Sequence, residues 1–321
     1  MTQVYDDYSK HKFLNLRHKL TYIYHIPIRG TGRMTWLFAK FFPYPKPKGL
    51  CIVKTLHGFS ILVNPVLDKG IERPIFYNGT YEYGTMKIMN YILNGGTFID
   101  IGANIGLMSL HASKILNYRG KVLSFEPLLS TYNILLRNIT LNNLRNIKAI
   151  NIAIGSTNGI VEIFDNEITR GSSSIIKINQ TASGHRVPIK RLDTYLDENH
   201  FDSINCIKID VEGWELEVLK GATKILSGLD APICIIECSR LHPIFGGDIR
   251  DIYTFLCDIN SYRIFRLERG KEKPSKLIQI NNKDNLPKHD NLFCFLPEHI
   301  KRLPSRLFKT QRAEILEASF D

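Results

Sequence analysis

The chain has 321 residues, 44% of them hydrophobic and 23% charged. That apolar share excludes global disorder, and the length suits one large domain or two ordinary ones. Lysine and arginine outnumber aspartate and glutamate by 42 to 31, a formal net charge of +11, which raises nucleic acid as a partner, while no apolar run reaches the length of a membrane span.

The chain opens on polar residues that include Asp6 and Asp7, with no apolar signal core, so a cytoplasmic location is expected rather than export. Residues 1–50 carry nine Lys/Arg against two Asp, a net +7, and residues 301–321 carry five against three, a net +2. Only +2 remains over the 250 residues between, which disfavours an extended basic groove for nucleic acid. Phe13, Leu16, Leu20, Ile23 and Tyr24 share one helical stripe, and Met34, Leu37, Phe38 and Phe41 form a second. A Pro/Lys-rich linker over 43–49 follows. Residues 1–49 are therefore expected to be a basic helical arm that caps the domain. An anionic membrane surface or a phosphate-bearing glycan carrier is its other possible contact.

Residues 50–64 alternate around His57-Gly58 as a hairpin. It opens a subregion, 50–95, of a main domain expected over 50–300, with 301–321 as a C-terminal tail or helix. From residue 97 onward, strands are predicted at 97–101, 121–125, 147–154, 206–211, 232–237, 262–267 and 291–296. Helices are predicted up to Leu116, from an N-cap at Ser130 to about Asn142, over 214–226 with Gly221 inside, and over 248–259. Strands separated by helices imply an α/β fold with a mostly parallel sheet covered on both faces. The six cysteines, at 51, 206, 234, 238, 257 and 294, fall mainly in apolar runs and contain no CxxC pair. Buried thiols in a reducing compartment are expected, rather than disulfides or a zinc site built on Cys234, Cys238 and His242.

Three segments carry chemistry. Phe98-Ile-Asp-Ile-Gly-Ala-Asn-Ile-Gly106 runs a buried strand ending near Asp100 into a turn through Gly102, Asn104 and Gly106, and then into a helix. Glycine and asparagine tolerate positive φ, and the carboxyl ends of strands are where open α/β sheets bind ligands. The G-x-N-x-G spacing is neither the dinucleotide fingerprint nor a phosphate loop. The next strand ends in Phe125-Glu-Pro127, putting Glu126 where an acid can accept both hydroxyls of a ribose. In Ile207-Lys-Ile-Asp-Val-Glu-Gly-Trp-Glu215 an extended strand would turn Lys208, Asp210 and Glu212 to one face. Charges there are costly unless paired or functional. A Lys208–Asp210 ion pair closing the sheet is the structural alternative.

These segments resemble the FkbM-type methyltransferases, class I enzymes that use S-adenosylmethionine. The D-x-E-G-x-E-x-x-x-L-x-G stretch from Asp210 to Gly221 is the most specific part. Gly79-Thr-Tyr-Glu82, Arg191-Leu-Asp193 and Asn291-Leu-Phe293 also match, so the likeness spans about residues 70–297. The resemblance implies a Rossmann-like, seven-stranded, mostly parallel sheet with an antiparallel last strand. It also implies cofactor contacts from Glu82, Asp100, Gly102, Asn104, Gly106 and Glu126, with adenine near Ala153, where apolar and backbone groups replace the usual acid. The family mostly methylates hydroxyls of sugars or natural products, so a sugar or glycan acceptor is expected.

Transfer of a methyl group to a hydroxyl needs alignment and removal of a proton. Asp210 is the first candidate base, Glu212 the second and Glu237 the third, with Lys208 beside them. Three converging acids can alternatively bind a divalent cation as Lewis acid, and the base reading is preferred to the metal. Arg170–His185, polar and rich in Ser and Gly, suits an acceptor loop. His185 and His242 are not expected to be catalytic. Two competing readings are a nucleic-acid methyltransferase, which the missing [DNS]-P-P-[YFW] motif disfavours, and a non-catalytic scaffold.

Overall fold

The structure, a computed structural model, describes residues 5–24, 45–164, 184–201, 203–239 and 248–317. The second apolar stripe of the arm, the polar stretch 170–183 and His242 lie outside the described residues. The first stripe is a helix, Lys12–Tyr24, whose Leu14 is buried in the core.

A small sheet comes first. Strand β1 (Asp6–Asp7) pairs parallel with β2 (Cys51–Lys54), which forms the expected hairpin with β3 (Ser60–Val63). Next come β4 (Gly96–Ile101), β5 (Gly120–Phe125) and β6 (Ile147–Ile150). The short β7 (Ala153–Ile154) leaves that sheet and joins β8 (Gly159–Phe164) and β9 (Gly184–Lys190) in a separate one. The single strand expected over 147–154 is therefore two, because Ala153 pairs with Ile189 instead of continuing beside β5. Strands β10 (Ile204–Ile209), β11 (Ile233–Ser239), β12 (Arg263–Leu267), β13 (Leu277–Ile280) and β14 (His289–Phe295) complete the set.

The main sheet has the order β13-β12-β14-β11-β10-β4-β5-β6. The last strand, β14, lies antiparallel between β11 and β12, as the resemblance implied. The sheet has eight strands rather than seven because β13 extends it as an antiparallel edge beside β12. Alternate residues feed two cores, as a sheet covered on both faces requires. Phe98, Val122, Cys206 and Ile235 face one core, and Ile99, Leu123, Ile207 and Ile236 face the other.

Three local expectations change. Leu128, not Ser130, is the N-cap of the helix Leu129–Leu141, so Ser130 lies within its first turn. The helix predicted over 214–226 is two, Glu215–Gly221 and Thr223–Leu226, separated at Ala222. Gly221 is more than tolerated there: a Cβ would come within 1.9 Å of the Gly155 carbonyl oxygen, so only glycine allows this approach. Five of the six cysteines are buried, Cys257 is half-buried, and all are free thiols. Among the described residues no helix is long and apolar enough to cross a membrane.

Candidate functional site

The sheet order reverses between β4 and β10, and the carboxyl ends of β4, β5, β10 and β11 open into one cavity of about 320 Å³. That is the switch-point crevice where open α/β sheets hold ligands, and its volume suits a small molecule. The composition of one sheet face changes just there. One step beyond Phe98, Val122, Cys206 and Ile235, the same face presents Asp100, Ser124, Lys208 and Glu237. The register aligns Ser124 with Asp100, Asp100 with Lys208, and Glu237 with Asn291. A polar row therefore crosses the sheet under the cavity.

The Gly turn forms as its sequence suggests. Gly102, Asn104 and Gly106 all have positive φ. A Cβ on Gly102 would lie 1.9 Å from the Asp210 carbonyl oxygen, so glycine lets β4 and β10 diverge at close quarters. Asn104 donates its backbone N–H to Glu126 Oε2 at 2.9 Å, and Leu128 donates its own to Oε1 at 3.0 Å. These bonds aim the Glu126 carboxylate at the cavity it lines. Asp100 is buried and accepts from Ser109 Oγ at 2.5 Å, and burial raises its carboxyl against the pull of Lys208. Ala153, with Ile152, Ile154 and Ile163, supplies an apolar wall. Gly106 is the exception among the residues expected to touch a cofactor. It does not line the cavity but starts the helix Leu107–Leu116 against Leu135.

The alternation expected of Lys208, Asp210 and Glu212 fails beyond Asp210. Strand β10 ends at Ile209, and Glu212 and Gly213 both take positive φ. Glu215 holds this turn, accepting backbone N–H bonds from Val211 and Gly213 at 3.1 Å. Burial pushes its carboxyl up to about 7. Each residue of the D-x-E-G-x-E-x-x-x-L-x-G stretch thus has a physical task. Asp210 pairs, Glu212 and Gly213 turn the chain, Glu215 holds the turn, Leu219 fills the core, and Gly221 lies against Gly155.

The ion pair between Lys208 and Asp210 does form, at 2.5 Å. Burial alone would raise Asp210, but Lys208, Lys271 and hydrogen bonds from Lys208 and Glu237 hold it down at about 2. Burial raises Glu237 well above the usual carboxylate range, with Asp210 adding to it. Glu237 is thus hydrogen-bonded to the Asp210 carboxylate on one side and paired with Lys271 on the other. Glu212, half-buried at the cavity wall, is pushed up to about 8 by burial, Asp210 and Glu215.

One partner, Lys271, is not evident from the sequence motifs. Glu82, with φ of +49 just before the helix Tyr83–Ile92, reaches Lys271 Nζ at 2.8 Å, and Lys271 also reaches Glu237 at 2.6 Å. Asn291 Nδ2 donates to Glu82 Oε2 at 2.7 Å and to Thr85 Oγ1 at 2.9 Å. The carboxylates that cluster within 4.8 Å are thus Glu82, Asp210 and Glu237, not the expected trio with Glu212. Thr131, also on the cavity wall, has a buried hydroxyl with no hydrogen-bond partner among the described residues. Its signal in the sequence is slight, a threonine in the first turn of a helix after Phe125-Glu-Pro127. His185 lies exposed on β9 and does not line the cavity.

The chain has relatives among known proteins. It is 31% identical over 182 residues to methyltransferase sdnD of Sordaria araneosa, covering 47% of this chain and 67% of that protein. It is 25% identical over 192 residues to methyltransferase 1 of Beauveria bassiana, covering 53% and 74% respectively. It is 28% identical over 186 residues to the hexuronic acid methyltransferase AglP of Haloferax volcanii, covering 54% and 66%. The methyltransferase FkbM domain matches residues 100–267, just over half of the chain, including the Gly turn, Glu126 and the Asp210–Gly221 motif. The chain belongs to the FkbM methyltransferase family.

Proposed function

We propose that this methyltransferase transfers the methyl group of S-adenosylmethionine to a hydroxyl of a sugar, glycan or glycosylated metabolite. The observation that carries the proposal is the opening of an acid-lined crevice onto the same cavity as the Gly102–Asn104 turn and Glu126. The donor fits the residues present. Gly102 lets the turn at the cavity wall pass close to the Asp210 carbonyl, Glu126 offers a fixed carboxylate for a ribose, and the wall around Ala153 suits a purine face. The unpartnered Thr131 hydroxyl adds one more polar contact on that wall. When bound, S-adenosylmethionine supplies a methyl group on a positively charged sulfur.

The chain's own residues then align the acceptor and take its proton. Glu212, with a carboxyl near 8, is a better base than Asp210, held near 2, because proton transfer is most effective near the working pH. This reverses the order expected from strand position. Asp210 instead hydrogen-bonds Glu237, leaving Glu237 to orient acceptor oxygens. The sugar class draws support from AglP, named for hexuronic acid methylation. Residues 50–300 are read as the catalytic unit, with 1–49 as a basic arm and 301–321 as a C-terminal extension.

Isothermal titration of S-adenosylmethionine into folded protein, followed by labelled-methyl transfer onto a panel of nucleotide sugars and cell glycans, tests this reading. Binding of the donor and labelling of a glycan are expected. A folded protein that fails to bind the donor sinks the proposal, and labelling confined to RNA would redirect the acceptor class.

A further inference from the structure

Glu82, Asp210 and Glu237 each offer an oxygen within 4.8 Å of the others, a spacing that a single divalent ion can bridge. A side chain from a distant hairpin already stands among them. Lys271 Nζ lies 2.8 Å from Glu82 Oε1 and 2.6 Å from Glu237 Oε1. These are charge-assisted contacts only a few tenths of an ångström longer than calcium–oxygen distances of about 2.3–2.6 Å. A metal ion bridging the same oxygens would sit almost on the ammonium nitrogen.

The lysine is held from its backbone. The loop between β12 and β13 turns at Gly270, where φ is +77. It then packs on the helix Tyr83–Ile92: a Cβ on Gly84 would be 2.8 Å from the carbonyl oxygens of both Lys271 and Lys273. Thr85 donates its backbone N–H to the Lys271 carbonyl at 3.1 Å, and Glu82 donates its own to Glu272 Oε2 at 3.1 Å. The Lys271 ammonium thus already supplies a positive charge to the two carboxyl groups that a metal would need.

We infer that Lys271 is a built-in cation, whose ammonium takes the place in the acid cluster that a divalent metal would take and fixes Glu82 and Glu237 without one. Lys271 is a positioning residue. It does not line the cavity, and it acts through the two carboxylates that do. Only the use of those carboxylates by a hydroxyl acceptor rests on the methyl-transfer reading; exclusion of the metal follows from the ion pairs.

The test is a Mn2+ titration of the full chain, followed by the electron paramagnetic resonance of free Mn2+. Wild type, Lys271→Ala and Lys271→Ala/Glu237→Gln are compared, with circular dichroism and donor binding measured in parallel. Wild type is expected to take up no stoichiometric Mn2+. Lys271→Ala is expected to gain one site per chain, at least ~10-fold tighter than any wild-type uptake, and the double variant to lose it. A stoichiometric wild-type site that disappears in Glu237→Gln overturns the inference, as does a folded Lys271→Ala that gains no Mn2+. Should the alanine variant not fold, Lys271→Arg, which keeps the charge, is expected to fold and stay free of Mn2+; binding there also overturns it. Failure of wild type to bind the donor would count against the methyltransferase mechanism and leave the metal result standing.

Discussion

Replacing Glu212 by glutamine is expected to stabilise the protein in alkaline solution, the reverse of what deleting a charged side chain near two lysines would suggest. Burial, Asp210 and Glu215 push the Glu212 carboxyl up from 4.5 to about 8. At about 1.4 kcal/mol per pH unit this amounts to ~5 kcal/mol, which solvent screening of a half-buried group reduces to roughly 2 kcal/mol. Between pH 4.5 and 8 the folded chain keeps a proton that the unfolded chain has released, so its contribution falls as pH rises through that window. Below the window both states are protonated and nothing is lost. Glutamine mimics the protonated carboxyl, so the two proteins should be equally stable near pH 4, and the variant more stable by roughly 2 kcal/mol at pH 9. Urea unfolding followed by circular dichroism across pH 4 to 9 measures the difference, with equal m values as the control. The cationic donor should relieve the wild-type penalty and bind more tightly as pH rises; S-adenosylhomocysteine, lacking the sulfonium, should do so far less. Parallel stability curves for the two proteins, or a wild type that gains on the variant at high pH, would refute the reasoning.

Other perturbations separate binding from folding. Gly102→Ala places a methyl group 1.9 Å from the Asp210 carbonyl oxygen at a φ of +80; the left-handed backbone alone costs about 1–2 kcal/mol, so calorimetry should show weaker donor binding together with a lower melting temperature. Thr131→Val removes a buried hydroxyl that has no hydrogen-bond partner among the described residues. It should leave the free protein as stable or more so while raising the donor dissociation constant roughly 2- to 10-fold, the worth of one hydrogen bond, and Thr131→Ser should restore it. Lys208→Met strands Asp210 in the interior and should destabilise by about 3–5 kcal/mol at pH 7 in denaturant titrations. That loss should shrink toward pH 2, because Asp210 is held low in the wild type and its pairing energy disappears as it protonates.

The sheet was legible because its strands are short apolar runs whose alternate residues feed two cores, as in Phe98-Ile99 and Cys206-Ile207. The Gly turn was legible because positive φ restricts the residue type, and Gly102, Asn104 and Gly106 all take it. Strand ends were less so. Ile209 and Val211 continue an apolar alternation that the backbone abandons, because Glu215 captures the N–H groups of Val211 and Gly213 and turns the chain. A carboxylate accepting backbone bonds from residues just before it leaves no trace in hydrophobic period. Gly221 was misread for a related reason: its requirement comes from Gly155, 66 positions earlier in the chain, rather than from its own helix.

Lys271 marks the other limit. In sequence it stands in Arg269-Gly-Lys-Glu272, a charged turn of the kind that normally faces solvent. In the fold it is buried with Glu82 and Glu237, and the latter partner alone is 34 residues away. Pairing at that separation is a property of topology, visible only once β12, β14 and β11 lie side by side. The same holds for the sign of the site. A formal +11 suggested an anionic partner, yet the described cavity wall carries Glu82, Asp100, Glu126, Asp210, Glu212 and Glu237 against one lysine, Lys208. A sulfonium entering this crevice meets local carboxylates at close range in a poorly screened interior, whereas the distal basic residues act through water and salt. Local sign therefore governs binding: raising ionic strength should weaken any contact made by the basic arm far more than it weakens the donor in the cleft.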